Sequence, residues 1–198
     1  MSTPAEEPTA VLGTTDTVAF GTLQWVPALG REDLLAAPVT EALRRLDPGV
    51  AEQVLVAEID PEHADTAAMT EAYALPLEAS ANCVLVAGKR AGEQRVAAAV
   101  VRATTRADVN TVVRRLLDVR KASFLPTAEA VTDSGMEFGG ITPIGLPRDW
   151  RILADARVAH GPAIIGSGVR RSKLLVPGEV LVTLPGVEVV EGLGMDVG

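Results

Sequence analysis

The chain has 198 residues, 47% of them hydrophobic and 22% charged, a balance that bounds it to one globular domain with material for a sizeable core. Aromatic residues make up 3%, so the core must be aliphatic, and a site that stacks many bases on aromatic rings is disfavoured. The net charge of −8 argues against a nucleic-acid partner when taken whole; yet residues 1–81 carry 14 acids against 3 bases, and residues 82–198 carry 12 acids against 15 bases, so a basic patch in the second half could still meet phosphates.

Residues 1–18, low in apolar content and scattered with Pro, Thr and Glu, read as a flexible leader. They lack the basic and then apolar regions of a signal peptide, and no apolar run approaches a membrane span. A soluble, cytoplasmic protein is expected. GTLQWVPA reads as a strand, Pro38 opens a short helix with Val39, Ala42, Leu43 and Leu46 on one face, and DPG at 47–49 ends it. QVLVAEI is a buried strand. DPEHADTAAMTEAYAL reads as one helix capped by Asp60. ANCVLVAG and RVAAAVVRA are partner strands around a charged hairpin turn, KRAGEQ.

Val109, Val112, Val113, Leu116 and Leu117 form one apolar face and predict a helix from about Arg106 to Leu117. LPTAEAVTDSG predicts a short helix capped by Thr127 and closed by Gly135. WRILAD, PAIIG and SKLLV are short strands, PGEVLVTL a helical turn, and GVEVV a last strand. The irregular alternation predicts an α+β domain, a mixed sheet with helices packed around it, rather than a doubly wound fold.

Standard enzyme motifs are absent: there is no P-loop, HExxH or GxSxG. GSGVRR at 166–171 resembles half a dinucleotide loop but follows no βαβ pattern. His63 and His160 stand far apart and read as surface or cap residues. Cys83, the one cysteine, excludes an internal disulfide and a cysteine-based zinc site; inside an apolar strand it reads as a small buried hydrophobe. The segment SGMEFGGITPIG differs in kind. Gly135, Gly139, Gly140 and Gly145 crowd into eleven residues, stiffened by Pro143. Such a loop either forms a bulged hairpin or presents backbone amides to a carbonyl or phosphate oxygen, and composition leaves both open.

TDSGMEFGGITPIGLP resembles the glycine-rich signature of the YbaK/ProX family, the prolyl-tRNA-synthetase-associated editing domains. The resemblance extends through IDPEHADTAAMTEAYALPLEASANCVLVAG, RVAAAVV with the Arg-rich segment after it, VRKASFLPTAEAVTDSG, ILADARV and IIGSGVRRSKLLV, roughly residues 55 to 185. It implies a single compact domain over residues 19–198, with a mixed, barrel-like sheet surrounded by helices and with residues 19–53 as a strand–helix extension outside the match. It also implies hydrolysis of the ester between an amino acid and the 3′ end of a mischarged tRNA, without cofactor or metal. The nucleophile would come from a ribose hydroxyl, the substrate's own side chain or a held water.

Carried over by position, Gly139 and Gly140 bind the scissile carbonyl as part of a substrate loop that continues through Ile141, Thr142, Pro143 and Gly145. Gly166, Ser167 and Gly168 form a second turn beside it, and Ser167 or Thr142 helps place a water. Asp155 stands where the family has an acidic residue at a strand end. Arg120 and Lys121 suit the tRNA end. Asn82 occupies the place where many members carry a lysine, and it would orient the terminal adenosine or ribose without offering a charge; Lys89 and Lys121 are the lysines nearest to it in sequence. The expectation is therefore an aminoacyl-tRNA deacylase acting in trans, with an aminoacyl-tRNA synthetase as a possible partner, as a monomer or homodimer. Two alternatives stand beside it: a catalytically weak or inactive aminoacyl- or nucleotide-binding module of the same fold, because of Asn82, and an interaction domain that docks a partner through its N-terminal extension.

Overall fold

In the computed structural model, residues 17–197 are described. The expected leader thus lies outside the described residues apart from its last two positions. Strands β1 (Val18–Phe20) and β2 (Leu23–Pro27) form a hairpin. Helix α1 (Ala37–Arg44) starts with Pro38 in its first turn and buries Val39 and Leu43. The Asp47–Gly49 stretch does more than end it: the Asp47 carboxylate accepts from the Gly49 N–H and caps a further turn, α2 (Pro48–Ala51). Strand β3 (Leu55–Glu58) follows.

The single helix expected from Asp60 is two pieces. Asp60 caps a 3₁₀ turn at Pro61–His63, and a second segment, α3 (Thr66–Ala72), starts after Asp65. Strands β4 (Ala81–Arg90) and β5 (Glu93–Arg102) pair along their whole length. Ala91 (φ 52°) and Gly92 (φ 88°) both take left-handed backbone, the geometry a tight two-residue hairpin demands.

Arg106, expected in a helix, lies instead in strand β6 (Thr105–Ala107). A π-helical turn at Val109–Val113, capped by Asp108, runs into α4 (Arg114–Leu116). The apolar face is as expected, with Val113 and Leu117 buried and Val109, Val112 and Leu116 packed beside them. Strand β7 (Ala122–Phe124) leads to α5 (Thr127–Ser134); Thr127 is its first residue rather than its cap, while Gly135 closes it at φ 66°. The remaining elements are β8 (Arg151–Asp155), β9 (Pro162–Gly166), β10 (Ser172–Pro177), α6 (Gly178–Leu181), β11 (Val187–Val190) and β12 (Gly194–Asp196).

One sheet has the order β1-β2-β3-β10-β9 and is antiparallel throughout; the other, β11-β8-β5-β4-β7, is mixed, with β8 parallel to both β5 and β11. A bridge between Ser80 and Ile164 joins them, and together they curl into a half-barrel. Its aliphatic core is drawn from both sheets and from the helices, with Val39, Leu43, Val56, Val100, Ile165 and Leu174 fully buried. The fold is the mixed, barrel-like sheet with packed helices that the sequence predicts. Strand β12 pairs with β6, a contact between residues almost ninety positions apart that no local pattern announces.

Candidate active site

The FGGITPIG loop and the second glycine turn interlock backbone to backbone. The Gly168 N–H donates to the Gly140 carbonyl (2.7 Å), the Glu137 N–H to the Gly168 carbonyl (2.8 Å), and the Arg170 N–H to the Glu137 carboxylate (2.6 Å). Two glycines make this approach possible. A Cβ on Gly140 would lie 2.6 Å from the Val169 carbonyl, and one on Gly166 would lie 2.2 Å from the Gly140 carbonyl oxygen and 2.6 Å from that of Ile141.

The interlocked loops form one wall of a cleft of about 330 Å³. Phe138, Gly139, Ile141 and Gly166 contribute to it from the loops, Asn82, Cys83 and Val84 from β4, Asp65, Thr66 and Met69 from the start of α3, and Ile164 and Ile165 from β9. Among the described residues the N–H groups of Gly139 and Ile141 have no protein acceptor, so each is free to bind a ligand oxygen. The Thr66 hydroxyl donates to the Asn82 side-chain oxygen (2.8 Å) and fixes that amide in place. The Ser80 hydroxyl is buried at the cleft with no partner.

The cleft thus brings together Asn82, Gly139, Ile141 and Gly166. The other candidate residues lie elsewhere. Gly140 sits behind the wall, its N–H donated to the Glu137 carbonyl, and serves to close the turn. Thr142 and Ser167 are fully buried and neither lines the cleft; the Ser167 hydroxyl is engaged with Ser172 and Val169, whereas the Thr142 hydroxyl has no partner among the described residues. Gly168 packs on Ala36 before α1. Pro143 and Gly145 line a separate groove with Pro38 and Trp150. Asp155 is a buried clamp: its carboxylate accepts from the Arg157 N–H and side chain and from the Gly194 N–H. Burial alone would push this carboxyl up, but the hydrogen bonds from Arg157 and Gly194 outweigh it and hold the group below its ordinary value. Arg120 and Lys121 are exposed and precede β7, whose Ala122 pairs with Gly88, six positions along β4 from Asn82; that is about 20 Å of strand.

Cys83 borders the cleft half-buried, and desolvation pushes its thiol up to about 12, which favours the protonated form. His63 stacks edge-on against Tyr73, and the His160 carbonyl accepts from Arg102; neither histidine lines the cleft.

The structure supplies a residue that the sequence reading passed over. Lys173 of β10 pairs across the sheet with Gly166 and Ala57, is 8% exposed, and lines the cleft. Its ammonium donates to the Gly139 carbonyl at 3.1 Å. Burial lowers its pKa to about 8, with Asp65 opposing that shift and Arg170 adding to it. Asp65 and Arg170 face each other at 3.8 Å across the rim. The available signal was a lysine inside an apolar strand, SKLLVP, where a charge has no ordinary place. Asn82 and Val84 also border a second hollow of about 610 Å³, lined by Arg106, Asn110, Ser123 and the exposed Phe124.

Fold and cleft together define a small α+β domain with a cleft lined by its interlocked glycine loops and by β4. The sequence matches the model of the aminoacyl-tRNA editing domain over residues 60–184, more than half of its length, and the chain belongs to that family. No curated protein matches it. Among solved structures, it is similar to one described as a hypothetical protein, with a TM-score of 0.67 and 18% identity over 80% of this chain and 99% of that one. It is also similar to a candidate trans-editing enzyme for prolyl-tRNA synthetase, with a TM-score of 0.65 and 17% identity over 82% of this chain and 97% of that one. A candidate signal transduction protein from Marinobacter aquaeolei VT8 shares the fold across 31% of its own length and 82% of this chain, with a TM-score of 0.52 and 16% identity. At these identities the structural likenesses speak for the fold. Among the described residues no helix is long and apolar enough to cross a membrane.

Proposed function

We propose that the chain hydrolyses the ester that joins an amino acid to the 3′ end of tRNA, and so clears mischarged tRNA in trans. The observation that carries this reading is the pair of uncommitted backbone N–H groups, Gly139 and Ile141, on a hydrogen-bonded loop that lines the same cleft as Asn82. Backbone donors fixed in advance stabilise charge that develops on a carbonyl oxygen without reorganising during the reaction. The aminoacyl side chain enters the apolar part of the cleft between Met69, Ile164 and Ile165, which favours a small uncharged group.

Asn82 stands where the cleft meets the second hollow and orients the ribose. The hollow takes the terminal nucleotide, with Phe124 as a stacking face and Arg106 near a phosphate. Hydrolysis adds water across the ester: the water oxygen bonds to the carbonyl carbon, the carbonyl π pair moves to oxygen, and collapse expels the ribose oxygen, which leaves with a proton. The products are the free amino acid and uncharged tRNA.

The binding-module reading arose from the missing charge at position 82. Lys173 puts a cation in the same cleft from another strand, which favours the enzyme. Purified protein is expected to deacylate at least one member of a panel of mischarged tRNAs faster than buffer does. If every member stays charged at the buffer rate, the enzyme reading fails.

A further inference from the structure

The geometry points to Lys173 as the charged half of the oxyanion site: its ammonium donates to the developing alkoxide of the aminoacyl ester, beside the N–H groups of Gly139 and Ile141. The inference rests on the deacylase reading and names a catalytic residue within it.

Three observations lead there. First, a buried lysine ordinarily carries a carboxylate partner, since an unpaired charge is expensive to desolvate. Among the described residues Lys173 has no carboxylate within ion-pair distance. Its one protein acceptor is the neutral Gly139 carbonyl, a bond that an uncharged donor would make as well. The structure thus keeps a positive charge in the cleft that its own contacts do not use.

Second, an ammonium has three donors, and the Gly139 carbonyl takes one. Two remain for a ligand. The nearby Ser80 hydroxyl, 2% exposed and unpartnered, is a second polar group that the folded chain leaves unsatisfied at the same cleft. Buried polar atoms are almost always satisfied, so an unpartnered hydroxyl calls for an explanation; of the two such hydroxyls among the described residues, Ser80 and Thr142, Ser80 is the one that lines the cleft.

Third, register places the lysine at the reacting end. Lys173 pairs with Gly166, the residue whose missing Cβ lets the Gly140 and Ile141 carbonyls lie over β9. That close approach brings the Gly139 carbonyl to the Lys173 ammonium and sets the free Gly139 and Ile141 N–H groups on the same wall. Two backbone N–H groups without a protein acceptor and one ammonium thus belong to residues that line the same cleft. Asp65, which also lines the cleft, partly offsets the Lys173 charge but pairs with Arg170 at 3.8 Å, and Cys83 stays a neutral thiol, so no carboxylate pairs directly with Lys173 among the described residues.

The test compares two non-hydrolysable adenosine ligands by calorimetry, a 3′-aminoacylamide and a 3′-aminoalkylphosphonate whose tetrahedral anion mimics the intermediate. Lys173→Met is expected to bind the amide like the parent and the phosphonate about 100-fold more weakly, the loss typical of one oxyanion donor. Lys173→Arg should retain most of the phosphonate affinity and guards against a folding artefact. Equal losses for both ligands, or none for either, would overturn the assignment. So would a loss confined to analogues carrying a 5′-phosphate, which would place the lysine at the nucleotide. If the parent binds neither ligand, the deacylase reading itself has failed.

The pH profile gives a second readout. The group donates while protonated, so the parent's rate enhancement should fall as pH rises through about 8, and Lys173→Arg, which stays charged, should lose that limb. A limb that persists in Lys173→Arg belongs to the substrate's own amine and counts against the proposal.

Discussion

Gly166→Ala is expected to lower deacylation by about 100-fold or more while the protein remains folded. The added methyl would lie 2.2 Å from the Gly140 carbonyl oxygen and 2.6 Å from that of Ile141. Both are backbone atoms, so the loop must lift as a unit. A displacement near 1 Å at a site that works by fixed geometry is enough for such a loss. The stability cost should stay at about 1–3 kcal/mol, the usual penalty for overpacking. Gly30→Ala is the matched control: a Cβ there meets nothing within 4 Å, and activity should be unchanged. Rates and melting temperatures of the two variants, measured side by side, separate a displaced loop from a damaged fold.

Arg102→Met should be the most destabilising single substitution outside the aliphatic core, at about 3–5 kcal/mol. The Arg102 guanidinium is buried at the end of β5 and donates to the carbonyls of Glu78, Ala79, Arg157, Val158, His160 and Pro162. No carboxylate within ion-pair distance shares it among the described residues. It ties the strand to the turn before β4 and to the turn before β9, and so holds together the ends of the two sheets near the Ser80–Ile164 bridge. Methionine fills the volume but leaves several carbonyls without a donor. For a domain of this size the melting temperature should fall by about 10 °C. A drop below about 2 °C would show that water replaces the guanidinium at little cost.

The parts of the structure that local chemistry dictates were legible in the chain. The β4–β5 hairpin followed from two apolar runs around a glycine turn, and the apolar face from Val109 to Leu117 is buried as its spacing predicts. The helix boundary there was not legible, because β6 exists by pairing with β12, far along the chain. Asp60 reads as a helix cap and is one, but Asp65 starts a second segment that an unbroken pattern conceals.

At the candidate site, the glycine loop announced close backbone approach, and the structure gives each glycine a different task. Gly166 admits the loop, Gly139 faces the cleft, Gly140 closes the turn, and Gly145 packs against the Pro38 carbonyl. Those tasks depend on which strands lie alongside, and so escape a one-dimensional reading. The same holds for Lys173. It stands 91 positions from Asn82 and reaches the same cleft because β9 and β10 run beside the start of β4.

The most direct measurement of the central claim is an amide chemical-shift titration of the ¹⁵N-labelled protein with a 3′-aminoacylamino-3′-deoxyadenosine. The largest shifts are expected at Gly139, Ile141 and Cys83, with smaller ones spreading along the second hollow toward Phe124. Shifts that instead concentrate in the groove of Pro38, Gly145 and Trp150, with the Gly139–Ile141 wall unmoved, would contradict the account.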